Sequence, residues 1–471
     1  MIEVGSEKQL FADDYLIEAC DGFIRQVNQP RKHSANPLLT PTEPWEGNSV
    51  VLYGSVIYDE QDACFKMWYQ TFNNMWDPPW STLVCYAISP DGINWEKPSL
   101  GVWDYKGSKK NNITMMMPQG TRLETPSVIK DEKDPDPARR YKMTFYDRHT
   151  DGLPMGTFAA YSPDGIHWSL REKPIILAGD RNCTIWDSHT EQFMHTGRRP
   201  GSRWRDVGIA MSKDFENWEG SGWPEAPLQL IIMADPRIDP PGTQLYGMVP
   251  FWYESVYLGF LEMLYIPKRK LDAQLVCSRT LCGRRLVNWV EYGRPEESDW
   301  QRVGGGDVFL PRGELGEFDW AWAFPANSPP IIRGNEIWIY YHGRDTLHYS
   351  KAPYGSEGRI GLATLRLDGF VSMDAGRQLS WLTLKSIVFK GKRLSLNLET
   401  VGKGWLDVEL LDEAGKPIPG FEQDKFDRFQ GDSCEHICGW QGGDDLSSLA
   451  GRPIVIKFHG EYVKLFSFWF S

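Results

Sequence analysis

The sequence predicts an all-β protein, in which a five-bladed β-propeller is followed by a C-terminal β-sandwich. Three observations favour this fold class. A short phrase of sequence recurs along the first part of the chain, short apolar runs alternate with turn residues, and long stretches of helical periodicity are hard to find. Short strands that alternate with turn signals are typical of all-β folds.

The recurring phrase reads AISPDGINWEKP at 87–98, AYSPDGIHWSL at 160–170 and AMSKDFENWEG at 210–220. Each copy has an apolar run, a Ser, a turn that carries Asp, and a Trp. Ser278 and Trp289 hold the Ser and Trp positions of a fourth, longer version. We interpret the phrase as the outer hairpin of a propeller blade, in which Ser and Asp bind the backbone of the turn and Trp packs between blades. The role of Asp is therefore structural and not catalytic at three positions: Asp91, Asp164 and Asp214.

The spacing of the repeats sets the size of a blade. The Trp residues of the phrase, at positions 95, 168, 218 and 289, are 73, 50 and 71 residues apart. Units of this size, with about four strands each, match propeller blades. Five such units fit into residues 1–376. The predicted strand pairs are, in chain order, 49–72 with 81–98, 127–148 with 156–170, 182–199 with 205–220, 256–266 with 273–292, and 328–345 with 358–376.

Residues 377–471 lack the phrase, and they alternate apolar and polar residues between Gly turns. Alternation of this kind predicts a β-sandwich. We therefore divide the chain into a catalytic propeller domain of residues 1–376 and a sandwich domain of residues 377–471. The sandwich either binds sugar or braces the blades, and we expect it to brace them.

Composition and charge exclude several classes of function. The net charge is −12 and the pI is about 5.4, whereas a nucleic-acid partner requires a basic surface. No apolar stretch is long enough to span a membrane, so a membrane partner is not expected. The N-terminal residues lack a basic-then-apolar leader pattern, which predicts a cytoplasmic protein, or a secreted one if a leader has been removed. The sequence leaves open whether the chain forms an oligomer.

The eight cysteines are scattered and show no spacing typical of a disulfide framework or a zinc ribbon. The segment CEHIC at 434–438 brings two thiols close to His436, but the sequence has no second pair of ligands to complete a metal site. We therefore expect no metal site in this segment and no cofactor, and the sequence leaves open whether a calcium ion lies at the propeller axis.

The chain is rich in aromatic residues, with 21 Trp, 19 Tyr and 22 Phe. Most of them are expected in the core of a β-structure. Flat sugar faces also stack on aromatic rings. The composition therefore favours a carbohydrate as the substrate.

The motifs SPDGINW at 89–95 and SPDGIHW at 162–168, the blade pattern and the C-terminal sandwich together resemble the five-bladed propeller glycoside hydrolases. The architecture is most similar to that of the β-fructofuranosidases (invertases and levanases), and the arabinanase and xylosidase propellers are related to it. The resemblance implies hydrolysis of a glycosidic bond at the propeller axis, by acids from different blades. The chain lacks the fructosidase motifs NDPNG, RDP and EC, so we chose candidate residues from their own surroundings.

Glycoside hydrolysis requires one ionised and one protonated carboxyl group across the scissile bond. Asp180, next to an arginine at the start of the third unit, is expected to stay ionised and to act as base or transition-state stabiliser. Glu254, among aromatic residues, is expected to have a raised pKa and to act as general acid. The remaining carboxylate is either Glu46, which precedes an inner strand, or Asp319, which lies between two aromatic residues.

Eight further residues are predicted to bind the substrate, because they are aromatic or charged and lie near the starts of blades or on a rim loop. They are Asp14, Trp76, Arg181, Tyr246, Trp252, Trp320, His342 and Arg344. His342, Arg344 and the nearby His348 are together suited to an anionic sugar group.

Two other functions fit the same fold. A non-catalytic sugar-binding propeller would show aromatic residues in its funnel but no opposed pair of carboxyl groups. A propeller lyase or phosphorylase would instead use a Tyr/His pair or an anion site, for which the candidates are Tyr246, His342 and His348.

Overall fold

The structure is a computed structural model, and it describes residues 2–73, 81–116, 123–147, 156–199, 205–219, 228–281, 298–348, 358–441 and 443–471. Over these residues the chain forms 33 β-strands and three short 3-10 helices, Pro137–Arg139, Val303–Gly305 and Gln423–Lys425. The predicted all-β fold class is therefore confirmed.

Five short strands come first in the chain. They are β1 (Ile2–Val4), β2 (Gln9–Leu10), β3 (Ile17–Asp21), β4 (Phe23–Val27) and β5 (Arg31–Lys32). Each of them pairs with a strand that lies beyond residue 357. The first part of the chain is thus held by sequence that comes more than 300 residues later.

Residues 50–366 form five consecutive units of mainly antiparallel strands. Unit 1 contains β6 (Val50–Val51), β7 (Val56–Asp59), β8 (Cys64–Asn73), β9 (Ser81–Ser89) and β10 (Ile113–Met116). Unit 2 contains β11 (Glu124–Lys130), β12 (Tyr141–Asp147), β13 (Gly156–Ser162) and β14 (Ser169–Leu170). Unit 3 contains β15 (Asn182–Asp187), β16 (Gln192–Arg198), β17 (Val207–Ser212) and β18 (Gln229–Ile232).

Units 4 and 5 complete the series. Unit 4 contains β19 (Thr243–Tyr253), β20 (Val256–Tyr265), β21 (Lys270–Ser278), β22 (Gln301–Arg302) and β23 (Val308–Leu310). Unit 5 contains β24 (Trp322–Pro325), β25 (Ile331–Arg333), β26 (Glu336–Arg344) and β27 (Gly358–Arg366). A parallel bridge between Leu271 and Trp322 joins the two units.

The units follow one another around a ring. Strand β11 contacts β15, β15 contacts β19, and β27 of unit 5 contacts β6 of unit 1. Strand β5 pairs with β27 through Lys32 opposite Ala363, so an early segment forms the outer strand of the last unit. This arrangement is a β-propeller. Its number of blades stays a prediction, because units 4 and 5 share one continuous sheet.

The recurring phrase forms the predicted turn. Oδ1 of Asp91 accepts the backbone N–H groups of Ile93 and Asn94, at 2.8 Å each. Asp164 and Asp214 make the equivalent bonds in units 2 and 3. Although burial raises the pKa of Asp164, these bonds lower it to about 2. The carboxylates of the phrase are therefore engaged in holding turns.

The glycine of the phrase joins neighbouring units. Tyr340 of unit 5 donates to the carbonyl of Gly92, and Trp68 of unit 1 donates to the carbonyl of Gly165, each at 2.7 Å. Both glycines have positive φ, 75° and 77°, and a Cβ at Gly92 would lie 2.4 Å from the Tyr340 hydroxyl. Only glycine suits this approach. In the fourth version of the phrase, Ser278 is the last residue of β21, and Trp289 lies outside the described residues.

The second part of the fold is an eight-stranded sheet that wraps around its own apolar core. Its later strands are β28 (Val371–Ala375), β29 (Ser380–Leu384), β31 (Leu394–Leu411), β32 (Asp432–Ile437) and β33 (Val455–Phe470), while β30 (Ile387–Phe389) pairs with β1. The order is β3-β29-β33-β28-β4, with β2 and β31 also paired to β33. The two longest strands, β31 and β33, pair with each other along most of their length.

This pairing differs from the predicted division at residue 376. Strands β2, β3 and β4, from residues 9–27, belong to the sandwich sheet, and so does β28 at 371–375. The physical reason is that these strands pair with partners hundreds of residues away, which a local sequence pattern does not reveal.

The side chain of Asp368 connects the two parts of the fold. This carboxylate is fully buried. It accepts the Tyr253 hydroxyl of unit 4 at 2.7 Å, Asn397 of the sandwich at 3.0 Å and the Ser467 hydroxyl at 2.8 Å. Lys8 forms an ion pair with it at 3.0 Å. This side chain is a point of contact between the sandwich and the propeller, and the bracing role of the sandwich stays a prediction.

Candidate functional site

Several units meet at the side chain of Asn327, which follows β24. Its Nδ2 donates to the backbone oxygens of Tyr53 at 2.7 Å, Asn182 at 2.9 Å and Pro126 at 3.4 Å. Asn327 is 1% exposed. One amide therefore ties units 1, 2, 3 and 5 together, and we take it as the marker of the propeller axis.

Arg181 and Glu262 form a buried ion pair beside Asn327. Nε of Arg181 donates to Oε2 of Glu262 at 2.8 Å, and Nη2 donates to Oε1. Nη1 of Arg181 donates to Oδ1 of Asn327 at 2.5 Å. The two side chains are 4% and 0% exposed. Burial alone would lower the pKa of Arg181, but the attraction of Glu262 raises it. Arg181, predicted to bind substrate, directs these bonds into the protein.

Gly247 allows this ion pair to pack against β19. A Cβ at Gly247 would lie 2.6 Å from Cγ of Arg181 and 2.8 Å from Oε2 of Glu262. Both atoms belong to side chains that are held by their mutual hydrogen bonds. The position therefore requires glycine for space, since its φ is not in the left-handed region.

Aromatic rings cover the ion pair. The Arg181 guanidinium lies 5.1 Å from the centroid of the Tyr53 ring, and the hydroxyls of Tyr53 and Tyr246 are 2.9 Å apart. Tyr246 meets Trp322 edge to face at 6.0 Å, and His348 stacks on Trp322 at 5.1 Å. Burial raises the pKa of Tyr246 well above its usual value, so its hydroxyl stays protonated at neutral pH.

Two further guanidinium groups lie over the faces of these rings. Arg344 lies 4.6 Å from the centroid of Trp322, and Arg205 lies 5.6 Å from the centroid of Tyr246. Burial, together with the positive charges of Arg205 and Arg344, lowers the pKa of His348 to about 4. His348 is therefore a neutral imidazole at pH 7.

Asp180 is the carboxylate of this region. Its Oδ1 lies 3.4 Å from Nη1 of Arg198, and its side chain is 22% exposed. The charge of Asp180 acts on both Tyr246 and His348, so it lies near them. We call the following six residues the axial cluster: Asp180, Arg205, Tyr246, Trp322, Arg344 and His348.

His342 lies beneath the axial cluster. It is 0% exposed, and its ring centroid is 4.9 Å from that of Phe324 and 6.5 Å from that of Trp322. Burial holds its pKa well below the usual value. Within the described part of the chain, neither of its ring nitrogens has a hydrogen-bond partner.

The structure does not bring Glu46 into the axial cluster. Glu46 is fully buried and forms an ion pair with Lys97 at 2.7 Å. It also accepts the Tyr69 hydroxyl at 2.6 Å and the backbone N–H groups of Thr42 and Glu43. These contacts anchor the segment before β6 to the strands of unit 1, and they give the carboxylate a structural position.

Asp319 is likewise enclosed. It is 1% exposed, forms an ion pair with Lys32 at 2.7 Å, and accepts the Tyr341 hydroxyl at 2.9 Å. Lys32 belongs to β5, the outer strand of unit 5. Asp319 therefore helps to attach the closing strand, and it has almost no surface toward solvent.

Glu254 and Trp252 lie at the far end of β19 from Tyr246, which corrects the expectation that these residues surround one funnel. Seven residues of extended strand lie between Tyr246 and Glu254, so the two are about 26 Å apart. Glu254 occupies the turn before β20 with φ 54° and accepts the backbone N–H of Lys8 at 3.1 Å. Trp252 stacks on His189 at 3.8 Å.

The other predicted ligands are dispersed. Asp14 is 80% exposed and pairs with Arg25 of the sandwich sheet. Trp320 is partly buried, and the Lys270 ammonium lies 4.2 Å from its ring. Both line a groove of about 470 Å³ between units 4 and 5. Trp76 lies outside the described residues.

Sequence reasoning missed several residues of this region. Tyr53, Asn327 and Arg205 carry no local signal, because only the ring closure brings them together. Glu262 did have a signal, since it is the one charged residue in the apolar run VYLGFLEMLYI at 256–266. A charge inside a buried strand requires a partner, and that reasoning would have led to Arg181.

Among the residues that the structure describes, no helix has the length and apolar character needed to cross a membrane. Within the same ranges, no group of three or more His, Cys, Asp or Glu side chains is placed to hold a metal ion.

No protein-family model and no curated protein matches this chain. Solved structures do match. A glycosyl hydrolase from Bacteroides ovatus is 13% identical, with a TM-score of 0.47, over 77% of this chain and 97% of its own. A fructofuranosidase from Schwanniomyces occidentalis is 12% identical, with a TM-score of 0.43, over 94% and 98%.

A third match comes from the GH130 family of mannoside phosphorylases, which contains glycoside hydrolases that target β-1,2 mannosidic linkages. It is 15% identical, with a TM-score of 0.46, over 76% of this chain and 96% of its own. The similar structures thus include glycoside hydrolases and members of a phosphorylase family.

Proposed function

We propose that this chain acts on a glycosidic bond of a carbohydrate at the axial cluster, with Asp180 as a catalytic carboxylate. The observation that carries the proposal is the position of Asp180 at the propeller axis, among aromatic rings and guanidinium groups and with a partly exposed side chain. Its exposed fraction is 22%, whereas the carboxylates of Glu46, Asp319 and Glu262 are at most 1% exposed. Only an accessible carboxylate can reach a substrate.

Hydrolysis requires a second carboxyl group, and Asp345 is the candidate. It follows Arg344 at the end of β26, it is partly exposed, and its charge raises the pKa of Arg344 against the larger effect of burial. We propose that Asp180 and Asp345 form the catalytic pair. Sequence reasoning selected acids by their aromatic neighbours and so passed over Asp345.

The rings of the axial cluster supply the sugar contacts. Tyr246 is partly exposed and offers an aromatic ring to a sugar, whereas Trp322 is 4% exposed and is covered by Arg344 and His348. The Tyr246 hydroxyl stays protonated and His348 stays neutral at pH 7, so each offers hydrogen bonds to sugar hydroxyls. Neutral donors and acceptors of this kind fix the orientation of a ligand in a cleft.

A carbohydrate-binding propeller without catalytic activity is the second candidate. A specific observation favours it: of the four acids predicted to be catalytic, only Asp180 lies in the axial cluster. A binding site requires the aromatic rings and guanidinium groups but no opposed carboxylates.

The experiment is a screen of the purified protein against aryl glycosides and oligosaccharides, with release of sugar as the readout. Asp180→Asn is expected to lower turnover by about 10²–10⁴-fold, the usual contribution of acid–base catalysis. The control is Asp444→Asn, because Asp444 also pairs with an arginine (2.8 Å to Arg393) but lies on the sandwich surface. Full activity of Asp180→Asn refutes the assignment, and sugar binding without turnover favours the second candidate.

A further inference from the structure

Building on the proposed function, we infer that Asn327 and Thr125 are positioning residues for Asp180: from two sides, they hold the backbone that carries this carboxylate. A catalytic group must be placed accurately, because a shift of about 1 Å can cost about 100-fold in rate. Asn327 is 1% exposed and Thr125 is 2% exposed. Both therefore act through Asp180 and not on the substrate itself.

Asn327 holds the two residues that come directly after Asp180. Its Nδ2 donates to the carbonyl of Asn182 at 2.9 Å, and its Oδ1 accepts Nη1 of Arg181 at 2.5 Å. The same Nη1 donates to the carbonyl of Asn182 at 3.1 Å. These three bonds form a closed set, so the amide of Asn327 fixes the course of the chain as it leaves Asp180.

Asn327 is itself held by unit 1. Its backbone N–H donates to the carbonyl of Gly54, and its carbonyl accepts the Ser55 hydroxyl, each at 2.8 Å. Its Nδ2 also donates to the carbonyl of Tyr53 at 2.7 Å. The amide therefore keeps one orientation relative to the segment of Asp180, because any rotation would break its bonds to the neighbouring unit.

Thr125 holds Asp180 from unit 2. Its Oγ1 donates to the backbone carbonyl of Asp180 at 3.3 Å. The φ angle of Thr125 is 53°, a left-handed conformation that is an outlier for a β-branched residue.

The surroundings impose this strained conformation. Oε1 of Gln70, a fully buried side chain, accepts the N–H of Thr125 at 3.1 Å. Nδ2 of Asn327 donates to the carbonyl of the next residue, Pro126, at 3.4 Å. Strained residues are concentrated at functional sites, where the surrounding structure maintains them. The strain at Thr125 is therefore a second, independent sign that the position of Asp180 serves the reaction.

The alternative is that Asn327 serves the fold alone, and Asn397 provides a matched control for it. Asn397 is also a fully buried amide, which donates to the carbonyl of Leu367 and accepts Nε of Arg366, each at 2.8 Å. It lies where the propeller meets the sandwich and not at the axis. Loss of either amide should lower stability, but only Asn327 should affect the reaction.

The test compares Asn327→Ala with Asn397→Ala on the best substrate of the screen. Both variants should have a lower urea midpoint than the wild type. Only Asn327→Ala should lower kcat, by about 10–100-fold, with a change in KM below about 3-fold, because a residue that acts on the reacting group alone leaves substrate binding in place. If Asn327→Ala does not fold, Asn327→Ser takes its place, since a hydroxyl can keep one of the bonds.

Hydrogen exchange measures the same effect without turnover. The backbone amides of residues 179–183 should exchange faster in Asn327→Ala than in the wild type, and Asn397→Ala should leave their exchange unchanged. This comparison separates a local change at Asp180 from a general loss of stability.

Thr125→Gly separates activity from stability. Glycine adopts a positive φ without strain, so the urea midpoint should fall less than in Asn397→Ala. The hydroxyl that bonds to Asp180 is lost, so kcat should fall by at least about 3-fold. A residue with a structural role alone would not lower kcat more than a variant that is less stable.

The outcomes are distinct. A loss of kcat in Asn327→Ala no greater than in Asn397→Ala, or unchanged exchange at residues 179–183, would overturn the inference, and full kcat in Thr125→Gly would overturn the role of Thr125. Full turnover in Asp180→Asn would instead refute the proposed function. If the wild type releases no sugar from any substrate, the exchange measurement alone decides whether Asn327 positions Asp180.

Discussion

Replacement of Glu262 by Gln tests the ion pair that supports the axial cluster. The substitution keeps the size of the side chain but leaves the guanidinium of Arg181, which is 4% exposed, without its counter-charge. Breaking a buried ion pair by removal of one partner costs about 3–5 kcal/mol. We therefore expect the free energy of unfolding to fall by about that amount, measured by urea denaturation. Glu399→Gln is the control, since Glu399 is 3.9 Å from Arg366 and partly exposed, and its loss should be below about 1 kcal/mol.

The double variant Arg181→Met with Glu262→Leu separates lost charge from lost packing. Replacement of both members of a buried pair by apolar residues is often neutral or stabilising. The double variant should therefore be more stable than Glu262→Gln alone. A loss of stability below about 1 kcal/mol in Glu262→Gln would refute the reasoning that Arg181 depends on Glu262 for its counter-charge. A double variant that is no more stable than Glu262→Gln would refute it as well.

Two further predictions concern the same region. Gly247→Ala should lower the free energy of unfolding by about 1–3 kcal/mol, because the added Cβ would lie 2.6 Å from Arg181 and 2.8 Å from Glu262. The control Gly5→Ala, with no heavy atom within 4 Å of the added Cβ, should have an unchanged urea midpoint. Equal urea midpoints for the two variants would contradict the prediction. The pKa of His348 is about 4 in the folded chain against an ordinary 6.5, so the unfolded chain binds the proton more tightly. The stability that this difference contributes is complete above pH 6.5 and is lost as the pH falls toward 4, by up to about 3 kcal/mol. His348→Phe should remove this part of the pH dependence in urea titrations, and an unaltered slope would contradict the assignment.

The all-β class and the blade repeat could be predicted because their signal is local. Ser89, Asp91 and Trp95 lie within seven residues of one another, and the bonds that hold the turn join those same residues. Any segment with the same Ser, Asp and Trp spacing is therefore expected to form the same turn. The register of neighbouring units, in contrast, depends on contacts such as Tyr340 with Gly92, which no local pattern contains.

The residues of the candidate site could be predicted only in part. The wrong assignments among the acidic residues have one physical cause. A carboxylate next to aromatic residues was interpreted as a funnel residue, but aromatic residues also surround the ends of strands and the joints between units. Glu254 lies at one end of β19 and Tyr246 near the other, so their proximity in sequence does not become proximity in space. Glu46 does precede β6, as predicted. Its carboxylate, however, points into the protein, where it pairs with Lys97 and accepts the Tyr69 hydroxyl.

The location of the early strands has a consequence for synthesis. Strand β2 pairs with β33, whose residues are made more than 440 positions later, and β5 can close the ring only against β27. During synthesis, the strands within residues 9–32 therefore stay without their partners until all five units have been made. Their backbone N–H and C=O groups are exposed until then. Contacts between such distant residues slow folding, and unpaired edges invite association between chains. Folding is therefore expected to be slow, and association between chains is favoured until the last strand is available for pairing.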